Sequence, residues 1–266
     1  MISCEKRSIV QRLADAPYLW LFLDYDGTLA DFAATPEEVI PDGELIALIA
    51  ELEAHPDIRV SIISGRRLAH IQELVPVEGI LKAGSYGLEL QTPDGSTLNR
   101  IEYEVVRPVV ARIKERWEDL LAGRGGFFLE DKGWTAAIHA KDADPEEAMA
   151  VLKQAEHEAT ELLLESEPVR LKLQGGHLFL ECAPREVDKK RTVAYMLDSF
   201  PWNAGALPVY LGDDDKDEVA FEAVQAAGGL VVAVGERLKE STADCWLASP
   251  KEVRNWLRNL LEARAV

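Results

Sequence analysis

The stretch Leu21–Phe32 reads LFLDYDGTLADF. A dense apolar run from Tyr18 to Leu23 stops at two aspartates, Asp24 and Asp26, followed by Gly27 and Thr28. Short apolar runs closed by polar residues are the pattern of a buried strand. In an extended chain, positions i and i+2 point to one side, so both carboxylates face one place. Bare, they oppose each other's ionisation, and a cation between them removes the conflict. Gly27 allows a tight exit from the strand. A buried strand ending in a charged loop is the unit of a parallel α/β sheet, where ligands bind beyond the carboxyl ends of the strands.

The flanking sequence repeats this unit. Asp42 is the expected N-cap of a helix over 42–54, with Leu45, Ile46, Leu48, Ile49 and Leu52 on one face. Ile58–Ile63 is a second buried strand, ending in Ser64-Gly65-Arg66. A helix near 67–74, a strand near 80–83 and a hairpin turning at Pro93-Asp94-Gly95 follow. The pattern then changes to a helix (104–121), two short strands around a DKG turn, a helix (145–164) and two strands joined by Gly175-Gly176. That is an α+β unit with an antiparallel sheet. Alternation returns with a helix at 188–198 and a strand at 208–212 ending in Gly212-Asp213-Asp214-Asp215. A helix at 217–227, strands at 230–234 and 245–247, and a helix at 250–262 complete it. The chain reads as a doubly wound parallel core, residues 1–103 and 185–266, interrupted by an inserted domain over 104–184.

With 266 residues and 47% apolar content, the chain can bury a large core. Its formal charge of −18 repels nucleic acid and anionic lipid, so neither is an expected partner. An anionic substrate must be met by local cations or a metal. Cys4, Cys182 and Cys245 are odd in number and form no CxxC pair, so neither a structural disulfide nor a zinc site is expected, and a reducing cytosol is. The first 22 residues lack the apolar core and cleavage site of a signal peptide, and no apolar run reaches membrane-spanning length.

Acidic residues at one strand end are more often turn formers than ligands. Here three strand ends carry polar clusters on one rim. Several carboxylates in one small space, with few histidines nearby, fit Mg²⁺, which keeps waters and accepts phosphate oxygens. One aspartate can then attack phosphorus through an aspartyl-phosphate, while the other carries protons. Thr28 and nearby backbone N–H groups suit phosphate oxygens, as do Ser64, Gly65 and Arg66. Lys189 stands at a helix start that favours anions; by position alone, Lys190 is an equal candidate.

DYDGTLADF, ISGR, DKK and YLGDDDKDEVAF stand in the order and spacing of the four motifs of haloacid dehalogenase (HAD) phosphatases, and the chain resembles that superfamily across its whole core. TPEE, AGSYGLEL, LEDKGWTAAIH and GGHLFLECAP further resemble the trehalose-6-phosphate phosphatases, with the insertion matching their α+β (C2-type) cap. The resemblance implies a Mg²⁺-dependent cytoplasmic enzyme that hydrolyses a phosphosugar. Asp24 would be nucleophile and metal ligand, and Asp26 general acid/base and, through its carbonyl, a metal ligand. Asp213 would complete the ligands, with Asp214 and Asp217 in support, and Ser64 and Lys189 would hold the phosphoryl group. Glu130, Lys132 and Glu181 match sugar-binding positions, with His177 as a further candidate and His139 as a structural or hydrogen-bonded residue. The chain departs from the family at Ala183, where arginine is usual, at Lys190 and at Lys216. Ala183 leaves other sugar phosphates open as substrates: glucosyl- or mannosyl-3-phosphoglycerate, sucrose phosphate, or the transfer chemistry of a phosphosugar mutase. The remaining expectations are a monomer, a cap that closes over the sugar, and a trehalose-phosphate synthase as the one protein partner left open.

Overall fold

A computed structural model describes residues 4, 6–33, 38–165, 170–176, 178–185, 188–238 and 240–264. The chain forms two compact units, Met1–Arg100 with Asp188–Val266 (the core) and Ile101–Val187 (the cap). The division lies a few residues outside the 104 and 184 expected from sequence.

The core opens with a helix that the hydrophobic pattern did not single out, α1 (Arg7–Asp15), which buries only Ile9 and Leu13. Then come β1 (Tyr18–Leu23), α2 (Gly43–Ala54), β2 (Ile58–Ile63), α3 (Leu68–Leu74), β3 (Leu81–Gly84), β4 (Glu89–Gln91) and β5 (Thr97–Asn99). Asp42 caps α2 as its sequence requires, accepting from the Glu44 and Leu45 amides.

The cap runs α4 (Tyr103–Leu121), β6 (Phe128–Asp131), β7 (Ala136–His139), α5 (Pro145–Glu165), β8 (Leu171–Gly176) and β9 (Phe179–Pro184). Its strands form one antiparallel sheet in the order β6-β7-β9-β8, with both helices packed against it. Val106, Val110, Ile113 and Trp117 give α4 the apolar stripe that this packing needs.

The core resumes with α6 (Lys189–Ser199), β10 (Ala206–Gly212), α7 (Asp215–Ala226), β11 (Leu230–Val234), β12 (Cys245–Leu247) and α8 (Pro250–Arg264). Its eight-stranded sheet has the order β12-β11-β10-β1-β2-β3-β4-β5. Pairing is parallel from β12 to β3, and the expected hairpin β4–β5 adds an antiparallel edge. Buried layers cover both faces: Leu21, Leu23, Val60 and Ile62 on one, Trp20, Phe22, Ile63 and Tyr210 on the other. Burial on both faces explains why the strands read as apolar runs without alternation.

One sequence expectation is overturned. Cys4 and Cys245 form a disulfide, with Cα atoms 4.9 Å apart, tying the segment before α1 to the edge strand β12. The partners are 241 residues apart, so spacing carried no signal of the pair. The argument from cysteine usage to a reducing compartment falls with it. Among the described residues, no helix is long and apolar enough to cross a membrane.

Candidate active site

Strands β10, β1 and β2 are neighbours and parallel, so their carboxyl ends deliver Asp213, Asp24 and Ser64 to one rim. Asp24 continues the pairing of β1, donating its amide to the Leu211 carbonyl at 3.1 Å. The following turn is closed by Gly27, whose φ of +81° suits glycine. A Cβ there would collide with the Asp213 carboxylate and the Phe32 ring. Gly27 thus serves both the turn and the space beside the acids.

Asp24, Asp213, Asp217 and Lys189 are all buried. Lys189 Nζ donates to Asp24 Oδ1 at 2.7 Å and to Asp217 Oδ1 at 2.5 Å. Lys189 is the first residue of α6, whose N-cap Asp188 accepts from the Lys190 amide. That cap turns Lys189 inward, while exposed Lys190 pairs with Glu222. Two lysines equal in the sequence are separated by the helix start.

Asp217 accepts four donors: Lys189, the Tyr210 hydroxyl at 2.6 Å, and the Asp213 and Asp214 amides at 3.2 Å each. It also joins Asp214 in a capping box at the start of α7. Asp217 is therefore the brace that holds Lys189. Asp24 differs, because its Oδ2 is buried without a partner among the described residues. An unpartnered buried carboxylate oxygen is costly unless something else engages it.

The electrostatics follow. Burial raises the Asp24 carboxyl well above its ordinary range, the charges of Asp217 and Asp213 add to this, and Lys189 opposes it. Asp213 is pushed up to about 7 by burial, with Asp214 and Asp217 adding. Burial works against the Lys189 ammonium, yet Asp217 and Asp24 hold its pKa well above the ordinary lysine value. Asp214 ends below its usual value although burial pulls upward, because Lys189, Asp217 and Lys216 favour its charge.

Oxygen atoms of Asp24, Asp213 and Asp217 lie within 4.8 Å of one another. Hard oxygens, a buried unpartnered acceptor and the space kept by Gly27 fit Mg²⁺. Since Asp217 is saturated by donors, Asp24 and Asp213 are the side chains available to hold the ion.

Asp26 stands apart from this cluster. Arg66 grips it by a two-pronged pair, Nε to Oδ2 and Nη2 to Oδ1, each 2.7 Å. Arg66, expected on substrate, here holds the expected proton carrier. Ser64 is buried and accepts from the Arg66 amide. Gly65 backs onto Tyr86, whose ring a Cβ would strike. Thr28 is fully buried with its hydroxyl unpartnered among the described residues, so it lines the turn and does not open onto the rim. Sequence reasoning missed Tyr210, Tyr86 and Arg237. Tyr86 accepts from Lys216 at 2.6 Å, and Arg237 lies 3.9 Å from Asp213. Tyr86 lay within the quoted AGSYGLEL and Tyr210 opens the quoted YLGDDDKDEVAF; Arg237 carried no motif.

In the cap, Glu181 is fully buried and accepts from Gln174 (2.6 Å), Thr135 (3.0 Å) and Lys132 (3.5 Å). Lys132 also reaches Glu130 at 3.4 Å, and Glu130 meets His139 at 2.9 Å. The three predicted sugar residues thus form one network, which adds Gln174, Thr135 and His139. Burial raises the Glu130 carboxyl, but His139 and Lys132 bring it below its usual value. His177 lies outside the described residues.

A parallel sheet with acids at its carboxyl rim and an α+β insertion is the architecture of the HAD-like proteins. A haloacid dehalogenase-like hydrolase from Bacteroides thetaiotaomicron aligns with a TM-score of 0.63 at 16% identity, covering 91% of this chain and 99% of that one. The C-terminal domain of Candida albicans trehalose-6-phosphate phosphatase aligns at 0.79 and 20% identity over the whole of both chains. The Trehalose-phosphatase family profile matches residues 22–249. A trehalose-phosphate phosphatase of Mycobacterium avium is 35% identical over 221 residues, 80% of this chain and 53% of its own length. The chain belongs to the trehalose-phosphatase family. It spans about half the length of the first mycobacterial relatives it matches.

Proposed function

We propose that this chain hydrolyses trehalose 6-phosphate to trehalose and phosphate. The observation that carries the reading is Asp24: one carboxylate oxygen is fixed by buried Lys189, and the other is buried and unpartnered among the described residues, as a nucleophile needs. Asp24 attacks phosphorus, the sugar oxygen leaves, and water then cleaves the aspartyl-phosphate. Asp26 gives the proton to the leaving oxygen and later takes one from water. Arg66 fixes the orientation of Asp26 for this role. Lys189 and Ser64 hold the phosphoryl oxygens, and Asp217 keeps Lys189 in place. Asp24, Asp213 and the Asp26 carbonyl would hold Mg²⁺, which supplies charge neutralisation for the phosphoryl group. In the cap, Glu130 and Lys132 bind sugar hydroxyls, since carboxylates and ammonium groups form strong charge-assisted hydrogen bonds, and buried Glu181 holds Lys132 for this role. Family membership and the 35% identity to the mycobacterial phosphatase support the substrate.

Phosphate release from a panel of phosphorylated sugars, with and without Mg²⁺, tests the reading. Trehalose 6-phosphate should be the preferred substrate, and activity should need Mg²⁺. Equal turnover of glucose 6-phosphate sinks the disaccharide assignment. Asp24→Asn should remove turnover and leave the circular dichroism unchanged; retained activity would exclude Asp24 as nucleophile.

A further inference from the structure

The cap sheet has one face toward its helices and one away from them. Ala136, Ile138, Leu180 and Cys182, buried apolar residues, share the helix-facing side. On the opposite face, cross-strand register builds two rows. Glu130, Ala137, Glu181 and Gln174 stand in one. Phe128, His139 and Phe179 stand in the next and end at Gly176. The rows are two residues apart along each strand, which is about 7 Å at the usual strand rise.

The second row is aromatic. The Phe128 and His139 centroids are 5.8 Å apart, and those of His139 and Phe179 are 5.1 Å. Phe128, the first residue of the edge strand β6, is 57% exposed. His139 is fixed to Glu130 of the neighbouring row, which ties the two rows together. In the first row and beside it, two carboxylates (Glu130, Glu181) alternate with Lys132 and the Gln174 amide. Such a mixture suits the hydroxyls of a neutral polyol, while the aromatic row suits the apolar C–H face of a pyranose ring.

We propose that Phe128, His139 and Phe179 form a stacking platform for a sugar ring, adjoining the hydroxyl-binding row, and that it gives preference for a disaccharide phosphate over a monosaccharide phosphate. The proposal rests on the phosphosugar reading above. His139, expected to be structural or hydrogen-bonded, is hydrogen-bonded to Glu130 and stands at the middle of the platform.

The test is Phe128→Ala with Phe179→Ala, assayed on trehalose 6-phosphate and glucose 6-phosphate. The KM for trehalose 6-phosphate should rise roughly tenfold, in the range for losing one apolar contact in a pocket. kcat and the glucose 6-phosphate constants should stay unchanged. Phe128→Tyr with Phe179→Tyr should behave as wild type, because the stacking face is kept. A KM that moves equally for both substrates, or for neither, overturns the platform. Exposed Phe128 is not needed for folding, so Phe128→Ala alone keeps the test available if the double variant unfolds. Calorimetric titration with trehalose separates this claim from the catalytic one. If wild type favours no sugar phosphate, the substrate assignment fails, yet loss of trehalose binding in the alanine variant still supports the platform. Equal trehalose binding by both proteins, or none by wild type, overturns it.

Discussion

The core and the cap each hold a network of opposite charges, built in opposite ways. In the core, Lys189 is shared by Asp24 and Asp217, all three are buried, and Asp217 is saturated by hydrogen bonds. In the cap, only Glu181 is fully buried; Glu130, Lys132 and His139 are partly open to solvent. Buried charges interact strongly but cannot tolerate loss of a partner. Partly exposed ones are worth less and can exchange partners for a ligand. Under the function proposed above, the difference is a division of labour, with fixed geometry where a bond would be broken and adjustable contacts where a sugar would be read.

The largest test of that contrast is removal of each lysine. Lys189→Met leaves Asp24 and Asp217 buried without a cation, and should cost about 3–5 kcal/mol by the precedent of broken buried pairs. Lys132→Met should cost less, about 1–3 kcal/mol, because Glu130 is partly hydrated and buried Glu181 keeps Gln174 and Thr135 as donors. Urea denaturation measures both. Equal losses would break the comparison.

The second contrast is covalent. The core carries the Cys4–Cys245 disulfide, whereas the cap's Cys182 is a buried free thiol pushed up to about 12, mainly by burial. Reduction with dithiothreitol should lower core stability by about 2–4 kcal/mol, the usual range for a disulfide closing a long loop. Cys182 should resist alkylation until the cap unfolds. Insensitivity of the melting temperature to reductant would remove the disulfide as a structural element. On the recognition side, Glu181→Gln should raise KM more than it lowers kcat, by roughly tenfold, as expected for weakened substrate binding with chemistry intact.

These contrasts also mark what could be read from the chain alone. The three strand ends at Asp24, Ser64 and Asp213 were legible because burial on both faces makes parallel strands continuous apolar runs. The cap's helices were legible from their stripes. Lys189 could not be chosen over Lys190 without the helix start that turns one inward and the other out. Asp217 was placed as a support, but its role as the brace of Lys189 joins residues 28 positions apart, which its local capping box does not announce. The Arg66–Asp26 grip joins residues 40 positions apart. The aromatic row of the cap depends on the register of three short strands, which their composition does not specify.

The smallest predicted effect separates a functional acid from an incidental one. Glu53 on α2 is a half-buried acid: partial burial pushes it up to about 7, and the Val60 amide and Arg59 oppose this only in part. Asp213 is pushed up to about 7 as well, but beside the other acids of the rim. For both, the folded state holds the proton more tightly than an unfolded carboxyl does. Stability should therefore be fully retained below the unfolded value near 4.5 for Glu53, fall as pH rises toward 7, and level off above it. The two acids differ in the remedy. Glu53→Gln should remove its share of the slope whether or not metal is present, since an amide oxygen can still accept from Val60. Mg²⁺ should remove the share of Asp213 by favouring its charged form, and should leave that of Glu53. Melting temperatures from pH 5 to 8, for wild type and Glu53→Gln with and without Mg²⁺, measure this. If Mg²⁺ flattens the wild-type curve as fully as Glu53→Gln and Mg²⁺ together do, Glu53 carries none of the dependence, and the slope belongs to the rim alone.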